Sequence, residues 1–291
     1  MIREKAVRCG RSTPLAGVLS EPVRAAGDAI RPGVLLLNSG ILHRVGACRQ
    51  NVRIARRLAA AGCPVLRFDY SGIGDSEVRR DHLSFEESAV VETVEAMNYL
   101  ASVSDSREFV LLGLCSGADM AFETAKADAR VVGLGLIDPW AYRTPRYYVH
   151  HYAPRLLRLQ SWKNAIRRQL FQRGAPSAFP SIGDPEIEGL ELPTYVREFP
   201  PREQASKDLE MLIARDVQMC CVFSDGQEDH YNYQGQFEDA FRGIGIGGHL
   251  TEVHVPGSDH IFTDLDHQKL LLDTLARWIE QCWPTRSGDR A

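Results

Sequence analysis

Apolar residues fall along this chain in two alternating rhythms. The first is the short unbroken run: "GVLLLNSG" at 33–40, "PVLRFDYSG" at 64–72, "EFVLLGL" at 108–114 and "VVGLGLID" at 131–138. A run of this length that is apolar at nearly every position suits a strand covered on both faces. A further strand is expected earlier, in "PLAGVLSEP". The second rhythm is helical. Around 48–61, Ile54, Ala55, Leu58 and Ala59 share one side, and Gly62 stands as the stop. Ser84 and Glu87 form an S-x-x-E capping box that opens a helix through Leu100, with Val90, Val91, Val94 and Met97 as its apolar stripe. Strand and helix in alternation predict an α/β architecture, a mainly parallel sheet flanked by helices.

The alternation breaks from Ala141 to about Arg215. No buried-strand run occurs there, and Pro145, Pro154, Pro176, Pro180, Pro185, Pro193, Pro200 and Pro201 separate helical patches. Strands resume at "VQMCCVFSD" and "HLTEVHVPG", and a last amphipathic helix carries Leu271, Leu275, Trp278, Ile279 and Cys282. The expected organisation is one core made of 1–140 and 216–291, with 141–215 inserted as a mostly helical lid.

Composition narrows the class. The 291 residues are 44% hydrophobic and 25% charged, which is ordinary for a globular chain. A net charge of −4 gives no global attraction to nucleic acid or to an anionic membrane. No apolar run approaches the ~18–20 residues of a membrane span. The start, "MIREKAVRCG", lacks a signal-peptide core, so a cytoplasmic location is expected. Seven cysteines without CxxC spacing predict neither a disulfide framework nor a zinc site, and adjacent Cys220 and Cys221 should point to opposite faces of a strand. "GIGIGG" at 243–248 follows a helix and precedes a strand, the reverse of a dinucleotide-binding turn. His150 and His151 are adjacent and lack the i, i+4 spacing of a helical metal pair. No metal or cofactor is expected.

The chemistry concentrates in "FVLLGLCSGADMAF", 109–122. A strand, then G-x-Nuc-x-G, then a helix is a nucleophile elbow, a turn so tight that residues two before and two after the nucleophile must be small. Cys115 has Gly113 and Gly117 at those places; Ser116 would have Leu114 and Ala118. Cys115 is therefore the expected nucleophile, and the Ser116 N–H one arm of an oxyanion hole. The second arm is expected at Ile41, in the loop after "VLLLNSG". "VPGSDHIF" puts His260 between the last strand and the last helix, where it would draw the thiol proton and hold a thiolate–imidazolium pair. The triad acid is expected after "CCVFSDG": Asp229 is favoured by its G-x-x-D spacing from Gly226, with Asp225, Glu228 and Asp138 as alternatives.

The pattern resembles the α/β-hydrolase superfamily across nearly the whole chain. A narrower likeness lies in His43-Arg44-Val45-Gly46, the Asp69–Ser76 turn, the Cys115 elbow and Asp138-Pro139-Trp140. These places look like the loop, turn, elbow and strand end of exosortase A system-associated hydrolases, with Gly117 and Asp138 as departures. The resemblance implies an α/β-hydrolase fold with an inserted helical lid, and His43, Arg44 and Trp140 as substrate-binding positions. Dienelactone hydrolase carries a catalytic cysteine at the same elbow.

The expected activity is cleavage of a small-molecule ester or thioester through an acyl-enzyme, as in a biosynthetic thioesterase. Two alternatives stay open: an acyltransferase that passes the acyl group to an amine or alcohol, and a noncatalytic hydrolase-fold binding protein. Between Ala141 and Gly174 there are seven arginines, one lysine and no acidic residue. Such a basic lid, with Arg155, Arg158, Arg167 and Arg168, suits an anionic substrate or an acyl carrier protein.

Overall fold

The computed structural model describes residues 2–23, 31–157, 197 and 199–284. Its strands are β1 (Ile2–Cys9), β2 (Leu15–Pro22), β3 (Gly33–Leu36), β4 (Val65–Phe68), β5 (Phe109–Leu114), β6 (Val131–Ile137), β7 (Gln218–Ser224) and β8 (Leu250–Val255). They form one sheet in the order β1-β2-β4-β3-β5-β6-β7-β8. β1 and β2 pair antiparallel, as do β2 and β4, and every later pairing is parallel. The helices are α1 (Gln50–Ala60), α2 (Phe85–Val103), α3 (Ser116–Ala127), α4 (Pro145–Leu157), α5 (Arg202–Ala214), α6 (Gln236–Ala240) and α7 (Leu265–Cys282).

Period-two alternation along the buried strands feeds two cores. Val34 and Leu36, Val110 and Leu112, and Cys220 and Val222 face α1 and α7, packing on Ile54, Leu58, Leu271, Leu275 and Trp278. Leu35, Leu111, Cys221 and Phe223 face the other way, onto Met97, Leu100, Ala121, Phe122, Leu209 and Leu212 from α2, α3 and α5. The adjacent cysteines thus point into opposite layers. Burying each such Leu or Val contributes about 1.5–3 kcal/mol, which explains why strands of only four residues hold their places.

β1, which no apolar run in the sequence announces, joins the sheet with partial burial. Two sequence expectations shift. α2 has the expected capping box at Ser84 and Glu87, but it buries Ala89, Thr93, Ala96, Met97 and Leu100 and leaves Val91 exposed. Small residues on that face allow a close approach, and buried Glu92 is met by Arg79 and the Ser71 N–H. Finally, α5 buries Ala205, Leu209 and Leu212 in the core beside α3. The expected insertion of 141–215 therefore takes in, at its end, a helix that packs as a core layer.

Candidate active site

Cys115 sits between β5 and α3 with φ 56° and ψ −119°, a left-handed conformation that a side chain other than glycine rarely adopts. The neighbours explain how the turn closes. A Cβ on Gly113 would lie 2.1 Å from the Gly117 carbonyl carbon, and one on Gly117 would lie 2.6 Å from the Asn38 carbonyl oxygen. The Cys115 N–H donates to the Ile137 carbonyl at 2.9 Å, which ties the elbow to β6. The Ser116 hydroxyl accepts from the Gly40 N–H at 2.8 Å and so holds the loop after β3 against the helix start. Ser116 is buried; Cys115 is half-buried.

His260 lies in the loop between β8 and α7. Its Nδ1 bonds Asp138 Oδ2 at 2.7 Å, and its ring lies near enough to the Cys115 thiol for each group to shift the other's titration. Asp138 is fully buried at the end of β6, with φ 46°. Its Oδ1 accepts from the Ser224 N–H at 2.7 Å and its Oδ2 from the Ser224 hydroxyl at 2.6 Å, so β7 fixes the carboxylate that fixes the imidazole. Gly226 makes room for the histidine loop, since a Cβ there would come within 2.5 Å of the His260 nitrogen.

A further cation is present. Arg197 forms a two-pronged pair with Asp119 in the first turn of α3, Nε to Oδ2 and Nη2 to Oδ1, both at 2.6 Å. Its Nη1 lies 3.7 Å from Cys115 Sγ and 3.2 Å from the Asp138 carbonyl oxygen.

These contacts perturb both reactive groups. The hydrogen bond to Asp138, followed by that to Cys115, raises the His260 pKa from 6.5 to about 9 against the opposing effect of burial. Burial alone would push the Cys115 thiol up; the His260 hydrogen bond, the Arg197 and His260 charges and the Ser116 N–H outweigh it and leave the pKa lowered. Opposite shifts on bonded partners favour a thiolate–imidazolium pair, whose apparent titrations belong to the pair. Such a pair can present a nucleophile and hold a proton for a leaving group.

The structure brings Cys115, Ser116 and His260 together. The expected acid, Asp229, is not the partner of His260: that place is filled by Asp138. Asp229 offers its backbone carbonyl to Arg143 Nε at 2.7 Å and to the Tyr147 hydroxyl at 3.1 Å. Asp225 bonds His254 Nε2 at 2.8 Å and the Gly257 N–H at 2.6 Å, and the Glu228 carbonyl accepts from Tyr147. Ile41 lies in the turn after β3 with its side chain 92% exposed, and its N–H makes no hydrogen bond among the described residues.

The structure places the substrate-binding positions implied by the resemblance in three different settings. Trp140 is only 3% exposed, because Phe122, Tyr142, Phe237 and Phe241 enclose its ring at centroid distances of 5.3–5.9 Å. Arg44 is bound to buried Asp69 through both its N–H and its guanidinium, and to Asp75 at 2.5 Å, which makes it a clamp between two loops. His43 is exposed, with Nδ1 accepting from the Val45 N–H at 3.3 Å. Of the basic lid residues, Arg158, Arg167, Arg168 and the side chain of Arg155 lie outside the described residues. Sequence reasoning missed Arg197, Asp119 and Ser224. Arg197 is a single arginine in a proline-rich stretch and has no motif; Asp119 had a faint signal as an acid in the first turn after the elbow.

No family model matches the sequence, and no curated protein matches it. Solved structures do. An esterase from Pyrococcus furiosus superposes with a TM-score of 0.59 at 12% identity, covering 96% of this chain and 91% of that one. A serine hydrolase without a lid from Xanthomonas campestris gives 0.51 at 16% identity over 95% of both chains. The α/β hydrolase domain-containing protein 10 from mouse gives 0.53 at 14% identity, covering 96% and 99%. This chain has the α/β-hydrolase fold. In this fold the elbow lies directly after β5 and His260 directly before the last helix. Among the described residues no cluster of histidine, cysteine and carboxylate side chains could hold a metal ion, and no helix is long and apolar enough to cross a membrane.

Proposed function

We propose that the protein is a cysteine-nucleophile acyl-transfer enzyme that cleaves an ester or thioester through an acyl-enzyme. The observation that carries this reading is the grouping of Cys115, His260 and Asp138, with the cysteine at a strained elbow, His260 beside it and bonded to an acid that is fully buried. Strain at φ 56° is held by surrounding packing and turns the sulfur out of the strand line, which a merely structural cysteine does not need. The esterase and hydrolase neighbours support carbonyl chemistry of the same class.

In this reading the Cys115 thiolate attacks the acyl carbon and forms the sulfur–carbon bond. The Ser116 N–H, at the start of α3, and the Ile41 N–H stabilise the oxyanion. As the tetrahedral intermediate collapses, the bond to the leaving alcohol or thiol breaks, and the His260 imidazolium supplies its proton. Neutral His260 then takes a proton from water, which attacks the thioester and releases the acid and the thiol. Asp138 keeps the imidazole oriented and favours its charged form throughout.

The test is turnover of aryl ester and acyl-thioester panels, with intact-mass detection of the acyl-enzyme. Cys115→Ala should abolish both turnover and adduct, and Ser116→Ala should retain the adduct. Turnover that survives Cys115→Ala and vanishes in Ser116→Ala refutes the assignment. Adding amines or alcohols to the same panel separates hydrolysis from transfer by product.

A further inference from the structure

We propose that Arg197 is a catalytic residue that shares the Cys115 thiolate with His260, an inference that rests on the cysteine-nucleophile reading above. The geometry is specific. One edge of the guanidinium, Nε and Nη2, is locked on Asp119 with both bonds at 2.6 Å, and the remaining Nη1 is thereby aimed at Cys115 Sγ, 3.7 Å away. The Asp138 carbonyl at 3.2 Å and the Phe199 ring, 5.1 Å from the guanidinium carbon, fix the same orientation. Only 13% of the Arg197 side chain and 15% of that of Asp119 are exposed, so water screens this group weakly.

The need for a second cation follows from where the charges stand. The N-terminus of α3 favours negative charge, and two anions compete for it: the thiolate before the first residue and Asp119 in the first turn. Asp138 adds a third anion behind His260. With His260 as the sole cation, the thiolate would form against two carboxylates. Arg197 lies between Asp119 and the sulfur and offsets both. His230 stands next along, against Phe199 at 4.8 Å; its pKa is lowered by burial, and Arg143 and Arg197 lower it further, so its ring adds no opposing charge near neutrality. Arginine suits the task because its fork is held rigidly by one carboxylate while another N–H is presented elsewhere.

The experiment reads the thiol without substrate. The rate of iodoacetamide alkylation at the Cys115 peptide is measured against pH in the full chain, with mass spectrometry separating it from exposed Cys48. Arg197→Gln should slow labelling about tenfold below neutral pH and converge with the parent at alkaline pH, the pattern of roughly a one-unit rise in apparent pKa. Asp119→Asn, which loosens the grip that aims Arg197, should shift the profile in the same direction as Arg197→Gln and by less. Arg197→Lys should fall between the parent and Arg197→Gln. The limiting rate at alkaline pH should be the same in all of them, because a disturbed fold would change that rate rather than the midpoint. Superimposable profiles, or a changed alkaline rate with an unmoved midpoint, overturn the proposal. Failure of the cysteine reading is seen separately, as turnover that survives Cys115→Ala.

Discussion

Replacing Asp138 with asparagine removes one charge and keeps the shape, which isolates what the buried carboxylate does. Its Oδ2 receives two donors, His260 Nδ1 and the Ser224 hydroxyl, and its Oδ1 receives the Ser224 N–H. An amide cannot satisfy that set. With its nitrogen at the Oδ2 place it meets the imidazole N–H; flipped, it meets the Ser224 N–H. Either way a buried donor faces a donor, at a cost of about 1–3 kcal/mol in stability. The larger effect is on the proton. His260 rises from 6.5 to about 9, with the Asp138 hydrogen bond the largest cause and Cys115 the next. The whole rise would be worth about 3 kcal/mol. Two corrections reduce it: part belongs to Cys115, and the His260 side chain is 35% exposed and so screened by solvent. About 2 kcal/mol remains for the carboxylate, or about a thirtyfold loss of the thiolate–imidazolium pair at neutral pH.

The direction is fixed by the sign of the shift. A weaker proton affinity at His260 returns the proton to sulfur, so alkylation of Cys115 should move to higher pH and acylation near pH 7 should fall about thirtyfold. The assay is stopped-flow acylation together with the iodoacetamide profile. Asp229→Asn is the control, since Asp229 meets its neighbours through a backbone carbonyl that the substitution leaves in place. A parent-like profile in Asp138→Asn, with the loss appearing in Asp229→Asn instead, would refute the assignment of the acid and restore the one favoured by loop spacing.

Two further outcomes are expected. Trp140→Ala should cost about 3–5 kcal/mol in urea unfolding and leave the pH profile of Cys115 alkylation unchanged, because the ring is enclosed by aromatic neighbours; a raised KM without lost stability would place it in the substrate pocket after all. Cys115→Ala should lower the His260 titration from about 9 when followed by NMR of the imidazole, since the thiol is its second-largest raising cause. Because the folded value lies above the unfolded one, the stabilisation from His260 is complete below about 6.5 and fades as pH rises through about 9; a His260 titration that ignores the substitution would show that the two side chains do not share a proton.

Much of this was legible in the sequence because the requirement was local. A strand buried on both faces must be apolar at every position, and "VLLGL" and "VGLGLI" say so without help from distant residues. The elbow was equally local: the 2.1 Å approach of a Cβ on Gly113 to Gly117 is a constraint between positions four apart, and it puts Cys115, not Ser116, at the apex of the turn. His260 followed from its place between the last strand and the last helix. What escaped depended on closure between distant segments. Arg197 and Asp119 are 78 positions apart, and nothing around either marks the other. α5 looked like part of the insertion because its neighbourhood is rich in proline, while its burial is decided by a groove beside α3.

The acid shows where the boundary lies. β6 and β7 are adjacent and parallel, so both end at the same edge of the sheet, and a carboxylate after either strand is a candidate for the histidine loop. Spacing within one loop favoured Asp229, but spacing does not measure which strand end faces His260. Two local features decide it. The chain after β7 turns at once, with the Ser224 hydroxyl accepting from the Gly226 N–H, and this brings Ser224 onto the Asp138 carboxylate. Gly226 then lies under His260, where any side chain would push the histidine away. The glycine that suggested an acid three residues later is thus explained by the contact it permits, and the carboxylate bonded to His260 belongs to the strand beside it.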